Sequence, residues 1–191
     1  MIRHKELFDS AGSVFSFLST LFYIRASVLA WPMALIASSI NMYLYLRTGL
    51  YGDMSLEGFY FLSTFYGWYE WLHGGKNKKE IPITHITKKM AFVLSIISIA
   101  GILLTELFLS RYTNSRVPWL DSTTTVLSLV AQFLICRKII ETWILWFIVD
   151  AVYAGLYFYK TIPIHGVLLI IYVGLAVLGY IRWHKKMYLP A

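Results

Sequence analysis

Residues 25–71 recur, in outline, at 137–183. Placing Arg25 on Arg137 brings Trp31 onto Trp143, Leu44-Tyr45 onto Leu156-Tyr157, Tyr60 onto Tyr172, Gly67 onto Gly179 and Trp71 onto Trp183, with no gap and a constant offset of 112 residues. The matched positions are mostly aromatic, Gly and Arg, so a shared apolar character does not account for them. A chain that carries one frame twice is constrained to fold as two similar units.

Composition says what those units are made of. Of 191 residues 58% are hydrophobic and only 14% charged, against about a quarter charged in soluble proteins; the mean hydropathy is +0.62. The charges gather in short clusters between apolar stretches of about 17–23 residues, each long enough to cross a bilayer core of about 30 Å as a helix. The formal charge of +7 does not point to nucleic acid, because the basic residues flank apolar spans, where they orient a membrane protein. The lone Cys136 excludes an intramolecular disulfide framework and a CxxC metal pair. Glu6 and Asp9 precede the first apolar run, so the N-terminus reads as a short tail and not a removed signal peptide.

Seven spans are expected, at about 10–27, 31–47, 53–73, 90–109, 119–136, 142–159 and 163–182. Trp31-Pro32 opens the second, since proline is tolerated in a first helical turn. Tyr66-Gly67-Trp68-Tyr69-Glu70-Trp71 closes the third as an interfacial aromatic belt. The fourth span has no counterpart in the repeat. The organisation is therefore a three-helix repeat at 10–73, a linking transmembrane helix at 90–109 and a second three-helix repeat at 119–182. One extra crossing forces both repeats to point the same way through the membrane. The fold class expected is an all-α membrane protein with parallel 3+1+3 repeats, as in the SWEET sugar transporters. Eleven Lys and Arg residues fall on one side and six on the other, which places the C-terminus in the cytoplasm and the N-terminus outside.

A repeat protein that binds a small asymmetric ligand should bind it where its copies differ. Trp143, Trp146, Asp150, Tyr153 and Tyr157 form one stripe of the sixth span, at steps of three and four residues. The matching stripe of the second span is Trp31, Ala34, Ser38, Asn41 and Tyr45. The ends agree and the middle does not. Asp150 stands near the middle of its span, where an aspartate costs about 2.5–3.5 kcal/mol on insertion scales and normally faces a wet cavity or a partner. Tryptophan faces beside a carboxylate suit a flat cationic or hydrogen-bonding ring. Gln132, Ser38, Asn41 and Tyr66 are further polar candidates at depth. Against these stand plainer roles: Ser and Thr in membrane helices commonly bond their own backbone, Trp143 could anchor the interface, and Asp150 could bind a neighbouring helix. The five histidines lie in tails or near loops and suggest neither metal site nor proton relay, and no cofactor is called for.

The stretch WLDSTTTVLSLVAQFLICRKIIETWILWFIVDAVYAGLYFYKT resembles the PnuC family of bacterial vitamin transporters, whose WxxWxxx(N/D) motif is matched by Trp143, Trp146 and Asp150. The Trp31-Pro32 start, NMYLYLRTGLYGD and FYGWYEW resemble the same family. The resemblance implies an inner-membrane uniporter that moves a vitamin precursor by facilitated diffusion, with a cytoplasmic kinase trapping the product. It implies nicotinamide riboside first, thiamine next and riboflavin third, because the first two present flat cationic rings and riboflavin is neutral and larger. It also implies a substrate site containing Trp143, Trp146 and Asp150, and a homotrimer. Gln132, Asn41, Tyr153, Tyr66 and Ser38 extend that site by position alone, near the bilayer centre and between the repeats. The alternative from another class is a membrane-embedded enzyme, for which one aspartate without a paired base, nucleophile or metal cluster makes a poor site.

Overall fold

The computed structural model describes residues 2–49, 51–113, 115, 117–159 and 163–188, with the side chains of all of these except 2–9, 78, 157–159 and 163–166. The described residues form seven α-helices: α1 (Ile2–Ile24), α2 (Ala30–Thr48), α3 (Tyr51–His73), α4 (Lys88–Tyr112), α5 (Pro118–Cys136), α6 (Thr142–Tyr159) and α7 (Pro163–Tyr188). Each of the seven expected spans overlaps one helix, the first of which ends at Ile24 and not at 27. The N-terminal tail is instead helical from Ile2, since that stretch contains good helix formers and neither Gly nor Pro. α7 runs past residue 182 because Lys185 and Lys186 suit the negative end of its dipole. Arg116 and Lys160, two of the six basic residues on the sparser side, lie outside the described residues, as does the Tyr157 side chain.

The repeat is visible in the turns as well as in the helices. α1 and α2 are joined through Ala26 at φ 52°, and α5 and α6 through Lys138 at φ 50°, again 112 residues apart. The left-handed region costs an L-residue about 1–2 kcal/mol, so surrounding contacts must hold both. Both residues are buried, and the same backbone bonds follow each. Ala30 N donates to Ser27 O (3.1 Å) as Thr142 N does to Ile139 O (3.2 Å). Trp31 N donates to Val28 O (3.1 Å) as Trp143 N does to Ile140 O (3.1 Å). Each turn delivers its tryptophan onto a glycine of the third helix in its own copy: Trp31 covers Gly67 and Trp143 covers Gly179.

The chain divides into two compact units. The first holds α1–α3, residues 136–138 and the end of α7 from Ile181. In it α1 packs on α2 and α2 on α3. Tyr23, Trp31, Trp71 and Trp183 make an aromatic cluster, with Trp31 edge-on to Tyr23 (5.1 Å) and to Trp71 (5.2 Å). Edge-to-face pairs of this kind add about 0.5–1.5 kcal/mol beyond the area they bury. Trp183 Nε1 donates to Tyr23 O at 2.8 Å, which ties down the last turns of α7. Lys138 lies over the Trp71 ring, 4.5 Å from its centroid, and its ammonium pairs with Glu80.

The second unit holds residues 84–135 and 139–180. Thr84 and Ile139 form an isolated parallel bridge, and Ile140 N donates to Thr84 O (3.0 Å). The Glu141 carboxylate accepts from Ile86 N (2.9 Å) and pairs with His85 Nδ1 (2.7 Å). Thr87 caps α4 by accepting from Met90 N. α4 exposes Phe92, Ile96, Ile99, Leu103 and Leu104, as a helix facing hydrocarbon does. Among the described residues α4, α5 and Val167–Tyr188 of α7 are long and apolar enough to cross a membrane, and Ser10–Ile24 and Thr142–Leu156 are shorter apolar stretches. The aromatic and polar content of α2 and α3 keeps them out of that set.

Candidate functional site

In the second unit α6 carries four of the expected residues. Trp143 is buried at the start of the helix, wrapped on Gly179. Trp146 and Asp150 follow at the next turns and are half-buried. Among the described residues no cation pairs with Asp150, and Tyr172 of α7 lies within electrostatic reach of its carboxylate. A carboxylate held this way in a membrane helix can attract a cationic ring, accept from hydroxyl groups or take a proton. Tyr153, one turn beyond, shares a hydrogen bond with Thr124 of α5, Oγ1 to Oη at 3.0 Å. Gln132 of α5 is buried in the same unit.

The first unit carries the other three. Ser38 is buried, and its hydroxyl donates to Ala34 O (2.9 Å) and Leu35 O (3.3 Å) of its own helix, the plain role that serine commonly takes in a membrane segment. Tyr66 is exposed, and its hydroxyl accepts from Arg137 Nη1 at 3.2 Å. Arg137 also reaches Glu70 Oε2 at 3.1 Å. The Tyr66 hydrogen bond pushes the Arg137 guanidinium above its ordinary value, against the burial that lowers it. Asn41 donates through Nδ2 to Glu57 Oε1 at 3.0 Å, while its Oδ1 lies where a β-carbon on Gly12 would stand.

Reading the sequence missed Glu57. It lies about 9 Å along α3 from Tyr51, at about 1.5 Å per residue, and the sequence signal was a carboxylate about one turn inside the span expected at 53–73. The two copies also share a node there. Gly12 and Asn41 stand in the repeat where Thr124 and Tyr153 stand, 112 residues on, and each pair is in direct contact. One copy joins a glycine to an amide and the other a threonine to a phenol.

A family profile described as nicotinamide mononucleotide transporter matches residues 6–185. The chain belongs to that family. It is 23% identical to the riboflavin/roseoflavin transporter RibM of Streptomyces davaonensis over 92% of this chain and 83% of the relative. It is 26% identical to the nicotinamide riboside transporter PnuC of Neisseria mucosa, over 92% of this chain and 71% of that one. Among solved structures it resembles the vitamin B3 transporter PnuC, with a TM-score of 0.74 and 25% identity over 95% of this chain and 82% of that one. Family membership makes the chain an integral membrane transporter and sets aside the embedded enzyme.

Proposed function

We propose that the protein is an inner-membrane uniporter for nicotinamide riboside, moving it down its gradient while a cytoplasmic kinase phosphorylates it and prevents its return. Asp150 carries the choice of substrate class. It is an uncompensated carboxylate among the described residues, four residues from Trp146 on one helix. A flat cationic ring satisfies both groups, the charge on Asp150 and the ring against tryptophan. The family's description and the PnuC relative support the same class.

Trp143, Trp146, Asp150, Gln132 and Tyr153 in the second unit, and Asn41, Tyr66 and Ser38 in the first, are the residues assigned to substrate. The reading includes parallel 3+1+3 repeats of the SWEET kind, rocking of one repeat to alternate access, an outside N-terminus and a trimer of identical chains. The matched turns at Ala26 and Lys138 support a repeated unit, and the linking helix between the copies supports their parallel sense. The outward apolar side chains of α4 suit lipid or a neighbouring copy.

A second reading is riboflavin, favoured by the RibM relative, which matches 92% of this chain. Thiamine shares the cationic ring of nicotinamide riboside and rests on the PnuC resemblance alone. Titrating purified protein with all three vitamins separates them. Nicotinamide riboside is expected to bind most tightly, and Asp150→Ala to weaken it at least tenfold. Unchanged affinity in that variant removes the assignment. Uptake into kinase-free liposomes should deliver unmodified vitamin at the same rate with and without a pH gradient.

A further inference from the structure

We propose that Glu57 is a second substrate-contacting carboxylate, a station for the cationic vitamin in the first repeat, and that Asn41 serves to position it. The inference rests on the transport reading above and extends it to a residue outside the assigned set.

Four observations converge on Glu57. It is half-buried in α3, so part of the side chain stays reachable by a small molecule. Asn41 Nδ2 donates to Oε1 at 3.0 Å, a neutral donor that orients the carboxylate without cancelling its charge. Among the described residues no Lys, Arg or His pairs with it. The repeat counterpart of Glu57 is Leu169, so the shared fold does not need a carboxylate here.

The geometry around Asn41 shows how the amide supports the carboxylate. Its oxygen is pressed against the Gly12 backbone of α1, where even a β-carbon would collide, and its nitrogen is taken by Glu57. Close packing on Gly12 and the bond to Glu57 together hold the amide in place. What remains of the node is the second carboxylate oxygen, Oε2. An ionised carboxylate accepts through both oxygens, and a charge-assisted bond is about twice as strong as a neutral one. A cationic ring joined to a hydroxyl-bearing sugar suits that acceptor, whereas a neutral ring gains less from it.

The test is uptake of nicotinamide riboside by the full-length protein in liposomes. Glu57→Gln keeps the shape and the bond from Asn41 but removes the charge, and is expected to raise KM about tenfold. Glu57→Asp, which keeps the charge, should stay within about threefold of the wild type. Equal losses in the two variants, or a Glu57→Gln KM equal to wild type, overturn the inference. If either variant fails to fold, judged by gel filtration and thermal unfolding, carbodiimide labelling of Glu57 in the wild-type protein replaces it. Nicotinamide riboside should slow that labelling, and labelling at an unchanged rate has the same negative meaning. Saturable wild-type uptake with an unaltered Glu57→Gln variant removes this inference alone. A wild-type protein that carries only neutral riboflavin removes both this and the nicotinamide riboside assignment.

Discussion

The indole of Trp143 fills the space in which a β-carbon on Gly179 would stand, and Trp31 meets Gly67 in the same way in the other copy. Glycine at these two places lets a whole aromatic ring seat against the backbone of the third helix. Adding one methyl must displace a large buried ring, and overpacking of this kind costs about 1–3 kcal/mol. Gly67→Ala and Gly179→Ala should each lower the thermal midpoint in detergent. Because the far edge of the Trp31 ring makes the contact at Gly67, Trp31→Phe should recover part of the Gly67→Ala loss.

Trp143 and Trp146 should separate packing from binding. Trp143 is buried on Gly179, whereas Trp146 is half-buried. Trp143→Ala is expected to lower both the thermal midpoint, by the equivalent of about 3–5 kcal/mol, and the affinity. Trp146→Ala should lower affinity about tenfold with a smaller effect on stability, and Trp146→Phe should lie between it and wild type. Paired melting curves and titrations of the same preparations check this.

Lys138 makes the α5–α6 turn sensitive to pH. Burial lowers its pKa from the usual lysine value, while the bond to Glu80 opposes the shift. A base whose folded pKa is depressed binds fewer protons folded than unfolded between the two values, so its contribution to stability rises with pH across that window. Below the depressed pKa the full cost of burying the ammonium remains. The stability difference between Lys138→Met and wild type should therefore favour the variant at neutral pH and shrink toward pH 10.5. Glu80→Gln leaves the ammonium with less compensation and should destabilise by about 1 kcal/mol, a small figure because Glu80 itself is exposed. Thermal melts at three pH values test both.

At the node on α1, Gly12→Ala should push Asn41 away from its place and so disturb Glu57. In the matching node Tyr153→Phe removes a single hydrogen bond to Thr124, at a cost of about 1 kcal/mol. If Asn41 positions Glu57, Gly12→Ala should raise the KM for nicotinamide riboside as Glu57→Gln does. An unaltered KM in Gly12→Ala would count against a positioning role.

The helices and the repeat were legible because both are written in local signals: apolar length, the Trp-Pro start, and residues matched at a fixed offset. The seat of Trp31 on Gly67 was not: the repeat marked both residues, again at 143 and 179, but not their contact. Nor was Lys138. Counting basic residues by side treats every lysine as solvated, and only the fold reveals an ammonium sheltered over Trp71. Glu57 escaped for a related reason: its partner Asn41 is on another helix, and no spacing within α3 announces the pair. For Ser38 the sequence left both roles open, polar lining and a bond to its own helix, and its hydroxyl donates to Ala34 O.

The two matched turns are alike in backbone but are fastened by different forces. The α5–α6 turn carries Arg137 on Glu70, Lys138 on Glu80 and Glu141 on His85. The α1–α2 turn offers an exposed Arg25, then Ala26 and Leu29 where Lys138 and Glu141 stand in the second copy. Dissolved salt shortens the reach of charges to about 8 Å at physiological strength and about 3 Å at 1 M, but leaves apolar packing in place. Ionic strength therefore acts on the two halves unequally, loosening one connection and sparing its twin.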